Sequence, residues 1–569
     1  RLVNLIMKFL LSAMMIFSCA IESKIFNSQA IVHPEVGANG MVVSQHYLAT
    51  DVGHAILESG GNAYDASIAV AFALAVVLPR AGNIGGGGFM VMHDAALNKS
   101  FSIDYREIAP AAATKDMYLN ADGTVDKMRS RQGVLAIGVP GTVAGMWEVH
   151  KKFGSLPWDQ LLEPAIVLAR DGFAMSPFMA DALNGRYKKL SKFKNFKSIF
   201  YANYPVEMHA TLTQPNLAKT LEAISIKGAI GFYEGEVADL IADYMKKNNG
   251  LITKADLKNY KPVWREPVRG NYKEYEIVTM PPPSSGGIHV IQMLNILEHY
   301  NLPEMGHNSP TYVALLAEAM KYAYADRSKY LGDPDFFDVP VAELISKEYA
   351  KEIKSRINLN KITPSDKILP GDAMPHESMD TTHFSVADKF GNVTSNTYTL
   401  NSGFGSGIVV NGTGVLMNNE MDDFVSAPGI PNQFGLIGGE ANKIEPFKRP
   451  LSSMTPTIVF HKNKPIIATG SPGGSRIITA VLQFLLNTLD FKMEISDATV
   501  VPRIHHQWKP DVLMLEKGFD AEHASAIEAF GQPIYISGPG TSLESLEIKN
   551  NLFYGFGDTR RPDSKAKGL

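Results

Sequence analysis

The chain has 569 residues, too many for one simple core and enough for a large layered domain. Its 54 basic and 58 acidic residues nearly balance, which excludes the basic footprint that nucleic-acid-binding proteins carry. Cys19 is the only cysteine, which excludes an internal disulfide and a zinc site built from cysteines, and leaves no thiol for catalysis after residue 19.

The first 30 residues predict a secretory signal peptide. Lys8 precedes an apolar stretch that is too short to indicate a membrane span. Small-residue cleavage sites end at Ala20 and at Ala30, and lipidation of the cysteine is a further alternative. We therefore expect a periplasmic or secreted protein whose mature chain begins at about residue 31.

The rest of the chain predicts helices first and strands later. Apolar residues recur at helical spacing in the first two thirds of the sequence, and short β-rich runs interrupt them. The predicted helices are 49–58, 63–78, 141–152, 157–170, 217–224, 237–247, 288–300 and 310–330; the predicted strands are 89–93 and 101–105, with a hairpin at 268–280.

The last third of the chain is predominantly β. Residues 359–379 are rich in Pro, Asp, Ser and Lys and predict a mobile connector. Beyond residue 381 strands predominate, with few helices other than one at 475–489. Helices packed outside antiparallel strand pairs indicate an α+β protein, a four-layer αββα sandwich.

A hairpin predicted after the connector begins with a threonine. Residues 388–392 supply a turn between two β-rich runs, and folding about Phe390 sets Thr381 opposite Thr399. Both side chains then share one face, and Thr382 points to the other. A bulge or a four-residue turn would shift this pairing by one residue.

Thr381 is the predicted nucleophile. No catalytic base lies beside it in the sequence, but cleavage of the Asp380–Thr381 bond would free its α-amine, whose pKa is about 7.7 to 8. An N-terminal threonine carries both nucleophile and base. Taken alone, the hairpin also fits an ordinary threonine-rich strand.

Several motifs decide between these alternatives, because together they resemble the γ-glutamyltranspeptidase (glutathione hydrolase) family of the bacterial type. They follow the family order and extend over roughly residues 40–562. The matching stretches are GNIGGGGF at 82–89, DYRE at 104–107, PPPSSGG at 281–287, NSGFG at 401–405, LMNNEMDDF at 416–424, RPLSSM at 449–454 and GSPGGSR at 470–476.

The resemblance implies the N-terminal-nucleophile hydrolase fold and a self-processing enzyme without a cofactor. It predicts self-cleavage into a large subunit, 31–380, and a small catalytic subunit, 381–569. The two subunits should stay together, since neither half of a shared sandwich can bury its own core. The implied reaction transfers the γ-glutamyl group of glutathione and related amides to water or to amino acid or peptide acceptors.

Catalytic roles follow residue by residue from the matched motifs. The resemblance implies that the Thr399 hydroxyl orients the nucleophile and that Asn401 contacts the substrate. The backbone N–H groups of Gly473 and Gly474 would form the oxyanion hole, which tetrahedral intermediates of acyl transfer require. Without the resemblance, these glycines fit an ordinary strand-to-helix turn.

Substrate anchors are predicted from the charges of a γ-glutamyl group, which has an α-carboxylate and an α-ammonium. Arg106 could bind the carboxylate with both arms of its guanidinium, helped by the hydroxyls of Ser452 and Ser453. Glu420 and Asp423 could hold the ammonium, so a glutaryl donor, which lacks it, should be a poor substrate. A surface arginine and a solvated acidic turn are the alternatives for these motifs.

Two other functions remain open from the sequence. One is a β-lactam acylase of the same fold that removes glutaryl or similar side chains, and the other is an uncleaved, non-catalytic relative. We predict no metal, since no HExxH motif occurs and the adjacent His505 and His506 would face opposite ways on a strand. Phe434 should cover the substrate, where lidded members of the family often have a tyrosine or tryptophan.

Overall fold

Two seven-stranded sheets carry the fold in the computed structural model, which describes residues 31–365 and 380–569. The predicted leader and most of the predicted connector therefore lie outside the described residues. The sheet that contains the predicted hairpin is called the hairpin sheet. In spatial order its strands are Lys565–Gly568, Gly40–Ser44, Thr382–Asp388, Val393–Thr399, Gly87–Asp94, Lys99–Asp104 and Val263–Arg265.

A second sheet faces the hairpin sheet. Its strands are Glu35–Gly37, Leu552–Gly557, Glu544–Lys549, Lys464–Thr469, Thr457–His461, Tyr275–Thr279 and Val268–Tyr272. A three-stranded sheet contains Ile504–His505, Leu513–Glu516 and Ile534–Ser537, and a two-stranded sheet contains Phe173–Ala174 and Thr211–Leu212.

Helices occupy most of the remaining described chain. The α-helices are Tyr47–Glu58, Ala63–Val77, Lys127–Arg131, Thr142–Phe153, Trp158–Asp171, Pro177–Asn184, Tyr187–Leu190, Lys194–Phe200, Pro215–Lys227, Ile230–Tyr233, Glu236–Lys247, Lys254–Asn259, Gly286–Leu297, Leu302–Met305, Pro310–Tyr330, Val341–Leu344, Lys347–Arg356, Ile477–Leu489, Ile495–Val500 and Ala521–Ala529. Short 3₁₀ helices lie at Val134–Ala136, Glu420–Asp423, Glu440–Asn442 and Gly474–Arg476. In the part of the chain that the structure describes, no helix has the length and apolarity needed to cross a membrane.

Four layers result from this arrangement, as predicted. Val43 and Val91 of the hairpin sheet and Ile458 and Leu546 of the second sheet pack in one apolar cluster between the sheets. On its other face, the hairpin sheet packs against helices such as Ala63–Val77, every residue of which is buried. The α+β sandwich of αββα type is therefore confirmed.

The predicted hairpin lies at the centre of its sheet. Thr382 pairs with Tyr398, and the same register sets Thr381 opposite Thr399, which confirms the predicted register. Strand Gly40–Ser44 flanks one side of the hairpin and Gly87–Asp94 flanks the other, so both neighbours come from the part of the chain before residue 380.

Candidate active site

Thr381 directly precedes the central strand Thr382–Asp388, on the face that is turned toward the second sheet. Its Oγ1 donates a hydrogen bond to Thr399 Oγ1 at 3.1 Å, and Thr399 Oγ1 also accepts the backbone N–H of Asn401 at 2.9 Å. Thr382 points the other way, and its buried hydroxyl has no hydrogen-bond partner among the described residues. The structure thus brings together the two hydroxyls that the hairpin register predicts.

A histidine two residues along the strand does not supply a base to Thr381. His383 bonds to Thr397 Oγ1 at 2.8 Å and to Ser385 Oγ at 2.9 Å, and burial lowers its pKa to about 3. Within the described chain, the Thr381 hydroxyl bonds to neither a histidine nor a carboxylate. The α-amine that cleavage would free therefore remains the base that this geometry supports.

The residue on the other side of the predicted cleavage site is held by arginines. Arg80 Nε donates to Asp380 Oδ1 at 2.6 Å, Arg80 Nη2 bonds to the same oxygen, and Arg186 Nη2 donates to Oδ2 at 3.0 Å. Burial would raise the pKa of Asp380, but Arg80 and Arg186 lower it to about 2. The carboxylate is therefore ionised and held in place by both arginines.

The two glycines predicted for the oxyanion hole lie beside this hairpin. Their φ angles are +133° at Gly473 and +55° at Gly474, in the region that favours glycine. Neither backbone N–H donates to an acceptor among the described residues, so both remain available to an oxyanion. The α-helix begins at Ile477 rather than at Ser475, because a 3₁₀ turn precedes it.

The predicted anchors of opposite sign pair directly with each other. Arg106 Nη1 donates to Glu420 Oε1 at 2.6 Å and Nη2 to Asp423 Oδ2 at 2.7 Å; its remaining bonds go to the carbonyls of Pro450 and Leu451. Burial would lower the pKa of Arg106, yet the two carboxylates raise it. The alternatives of a surface arginine and a solvated acidic turn are therefore wrong, because the three side chains form one buried cluster.

Surplus acceptor capacity remains in this cluster. Glu420 Oε2 and both carboxylate oxygens of Glu107 are buried and have no hydrogen-bond partner among the described residues. Burial raises the pKa of Glu420 to about 8 and that of Glu107 to about 7. Asp423 Oδ1 likewise accepts no hydrogen bond within the described chain. With these pKa values the cluster holds protons at neutral pH, and a ligand ammonium could replace them as the partner of the carboxylates.

One small cavity, of about 20 Å³, joins these parts. Nine of the ten predicted site residues line it, and Gly473 is adjacent to the lining residue Gly474. The lining residues are Arg106, Arg327, Thr381, Thr399, Asn401, Glu420, Asp423, Phe434, Leu436, Ser452, Ser453, Met454, Gly474 and Ile477. Phe434 is almost completely buried, as expected of an aromatic cover.

Arg327 is the charged lining residue that sequence reasoning missed. It lies near the end of helix Pro310–Tyr330, a segment without a recognisable motif, and reaches the site only through tertiary packing. Its Nη2 donates to Ser453 Oγ at 3.1 Å.

No group of three or more His, Cys, Asp or Glu side chains in the described ranges is arranged to hold a metal ion.

Known proteins share both the sequence and this architecture. The chain matches the family model described as Gamma-glutamyltranspeptidase over residues 49–568. The glutathione hydrolase proenzyme of Escherichia coli (strain K12) is 48% identical over 541 residues, which cover 95% of this chain and 93% of the relative. One chain of the crystal structure of Helicobacter pylori gamma-glutamyltranspeptidase is 48% identical, covers 58% of this chain and 95% of its own, and has a TM-score of 0.56. The crystal structure of cephalosporin acylase from Bacillus halodurans covers 96% of this chain and 99% of its own, with a TM-score of 0.84 at 26% identity.

Proposed function

The chain belongs to the gamma-glutamyltranspeptidase family, and we propose that it transfers the γ-glutamyl group of glutathione and related amides to water or to amino acid and peptide acceptors. The observation that carries this proposal is one cavity in which the Thr381 hydroxyl meets a buried cluster of an arginine and carboxylates. The hydroxyl suits acyl transfer, and the cluster suits a zwitterionic acyl group.

Maturation would use the same hydroxyl as catalysis. Thr381 Oγ1 attacks the carbonyl carbon of Asp380 and its proton passes to the peptide nitrogen, so the C–N bond breaks and the α-amine is freed as the ester forms. Water then hydrolyses the ester to the Asp380 carboxylate and the Thr381 hydroxyl. The products are a large subunit ending at Asp380 and a small subunit, Thr381–Leu569. The flanking strands Gly40–Ser44 and Gly87–Asp94 would keep the hairpin in its sheet after cleavage.

In the mature enzyme the α-amine of Thr381 would take the hydroxyl proton as the hydroxyl attacks the donor's amide carbon. The backbone N–H groups of Gly473 and Gly474 would stabilise the oxyanion, and the protonated amine would release its proton to the leaving amine. The γ-glutamyl ester on Thr381 is then cleaved by water or by an acceptor amine. Thr399 holds the nucleophile in the orientation that both steps require.

A second candidate is a β-lactam acylase, which the likeness to cephalosporin acylase favours. Glu420 and Asp423 distinguish the two candidates, because a glutaryl group offers no cation to the unpartnered oxygens of these carboxylates. Their burial makes that mismatch costly. The γ-glutamyl amide is therefore the better supported donor.

Product analysis tests this proposal directly. Purified protein is incubated with glutathione, with and without glycylglycine, and free glutamate and γ-glutamylglycylglycine are quantified. The proposal predicts both products, neither with Thr381→Ala and both with Thr382→Ala, a matched control on the opposite face of the strand. Release of a glutaryl group from a glutaryl amide without action on glutathione would move the assignment to the acylase.

We propose an exported location from the leader sequence alone. A periplasmic or secreted enzyme would meet its donors outside the cytoplasm and would need no disulfide, since Cys19 lies within the predicted leader. Fractionation of cells that express the full chain tests this. Recovery of the processed protein only from the cytosol would contradict export.

A further inference from the structure

Arginines surround the carboxylate of Asp380, the residue that precedes the nucleophile. Arg80 Nε donates to Oδ1 at 2.6 Å, Arg80 Nη2 bonds to the same oxygen, and Arg186 Nη2 donates to Oδ2 at 3.0 Å. Arg561, which is also buried, lies close enough to interact electrostatically with both Arg80 and Asp380. The fold thus has a buried anion site directly beside the predicted cleavage point, and Asp380 occupies it in the precursor.

The walls of this anion site support the arginines independently of the carboxylate that they bind. Arg80 and Arg561 lie over the ring of Phe178, at 4.9 and 5.7 Å from its centroid, and Arg186 lies 5.9 Å from the centroid of Phe404. Aromatic faces attract and orient guanidinium groups in this way. The Arg186 side chain is 33% exposed, so it forms the edge of the site that faces solvent.

Self-cleavage changes what holds Asp380 in this site. In the precursor, the peptide bond to Thr381 fixes its position. After cleavage Asp380 is the C-terminal residue of the large subunit, and its new α-carboxylate brings a second negative charge to the same place. Among the described residues, neither Arg80 nor Arg186 has another carboxylate within ion-pair distance. A buried charge without a partner is costly, so once Asp380 departs the site favours another anion.

The amine that leaves the donor and the amine of the acceptor approach Thr381 from one direction, because attack by the acceptor reverses the step that released the leaving amine. Both exchange a proton with the α-amine of Thr381. In the precursor this α-amine is the peptide nitrogen joined to Asp380. A dipeptide spans at most about 7 Å between its amine and its carboxylate. With its amine beside Thr381, its carboxylate can therefore reach the place that the Asp380 side chain occupies.

We propose that the site formed by Arg80, Arg186 and Arg561, once self-cleavage releases Asp380, binds the C-terminal carboxylate of the acceptor peptide and of the donor's leaving peptide. This inference rests on the proposed γ-glutamyl transfer and adds the class of acceptor, a short peptide with a free C-terminal carboxylate. Glutathione fits the same rule as a donor, since its leaving peptide, cysteinylglycine, ends in a carboxylate.

Two acceptors that differ in one group test this site. Glycylglycine has a C-terminal carboxylate and glycylglycinamide has none. A γ-glutamyl anilide serves as donor for both, because its leaving group is uncharged, and the transfer products are quantified by chromatography with fully cleaved enzyme. The wild type should use glycylglycine with a kcat/KM about 10- to 150-fold higher than that of the amide, the usual effect of one hydrogen bond to a charged group.

Variants of Arg186 separate binding of the carboxylate from a structural role. Arg186→Met should lower the ratio of the two kcat/KM values about tenfold, chiefly through KM for glycylglycine. Arg186→Lys keeps the charge but loses the planar fork, so its ratio should be intermediate, and it carries the test if Arg186→Met does not mature. Lys188→Met, the matched control, removes an exposed charge from the neighbouring helix Tyr187–Leu190 and should keep the wild-type ratio.

An Arg186→Met enzyme that keeps the wild-type ratio, or that loses activity equally with both acceptors, would overturn the inference. A wild type that does not distinguish the two acceptors would do the same. These outcomes differ from failure of the proposed function. If the wild type neither hydrolyses the γ-glutamyl anilide nor forms a transfer product, the proposed function itself fails. If it hydrolyses the anilide but transfers to neither acceptor, only the acceptor site is refuted.

Discussion

Arg80→Gln should slow the self-cleavage of the precursor. Asp380 supplies the carbonyl that Thr381 attacks, and Arg80 makes two hydrogen bonds to its buried carboxylate. The lowering of the Asp380 pKa from 3.8 to about 2 corresponds to roughly 2 to 3 kcal/mol of stabilisation. Loss of one partner of a buried ion pair costs about 3 to 5 kcal/mol, and the low end applies here because Arg186 remains.

Cleavage is followed on denaturing gels after purification of freshly synthesised precursor. Loss of the ion-pair partner costs about 3 kcal/mol. If about half of this cost appears in the transition state, the half-time of self-cleavage should lengthen at least tenfold, at about 1.4 kcal/mol per factor of ten. The exposed Arg170→Gln is the matched control. In a Thr381→Ala background, which keeps the chain intact, Arg80→Gln should also lower the unfolding temperature.

The same contact makes a prediction about pH. The folded pKa of Asp380 lies below its unfolded value, so its stabilisation is complete above about pH 4 and is lost as the pH falls toward about 2. The Thr381→Ala precursor should lose stability in this window, and Arg80→Gln should reduce the loss. Cleavage at the wild-type rate together with an unchanged unfolding temperature would refute the reasoning.

Three other predictions concern the site. Thr399→Val removes the oxygen that accepts the Thr381 hydrogen bond. Single-turnover acylation should slow about 2- to 12-fold, because such a bond is worth about 0.5 to 1.5 kcal/mol. An unchanged rate would show that the contact does not orient the nucleophile. Gly473→Ala should lower kcat about 100-fold or more, since a methyl group there would lie 2.7 Å from a backbone oxygen. Gly474→Ala should lower kcat less, because its methyl group would meet the ring of Phe434, a side chain that can move aside. Equal effects of the two substitutions in steady-state assays would contradict this. The wild type should prefer γ-glutamyl over glutaryl anilides about 10- to 150-fold, because only the ammonium brings a positive charge to the buried Glu420 carboxylate. Comparable kcat/KM values would remove the basis for the γ-glutamyl assignment.

The local parts of this fold were predictable from the sequence. Side-chain alternation and a five-residue turn were enough to pair Thr381 with Thr399, and helical periodicity placed the longer helices with their ends within three residues of the observed ones. Short helices escaped, including Ile495–Val500 and Ala521–Ala529, because one or two turns carry too little periodic signal.

The partners within the site were less accessible to sequence reasoning. The motifs supplied Arg106, Glu420 and Asp423 but not their direct pairing, because an ion pair depends on where tertiary packing directs each side chain. Arg327 carried no signal, since it belongs to a helix and reaches the cavity only by packing against Ser285 and Ser453. Residue types in the motifs thus identified candidate site residues, whereas only the distances in the folded structure show which of them pair with each other.

The central claim, that Thr381 becomes an N-terminal nucleophile, is tested most directly by mass spectrometry of the intact subunits. After brief incubation with a γ-glutamyl donor and acid quenching, two chains should be found, the smaller with the mass of Thr381–Leu569 and a fraction heavier by one γ-glutamyl group on its first residue. A single uncleaved chain that turns over donor, or an acyl group on any residue other than Thr381, would contradict the account.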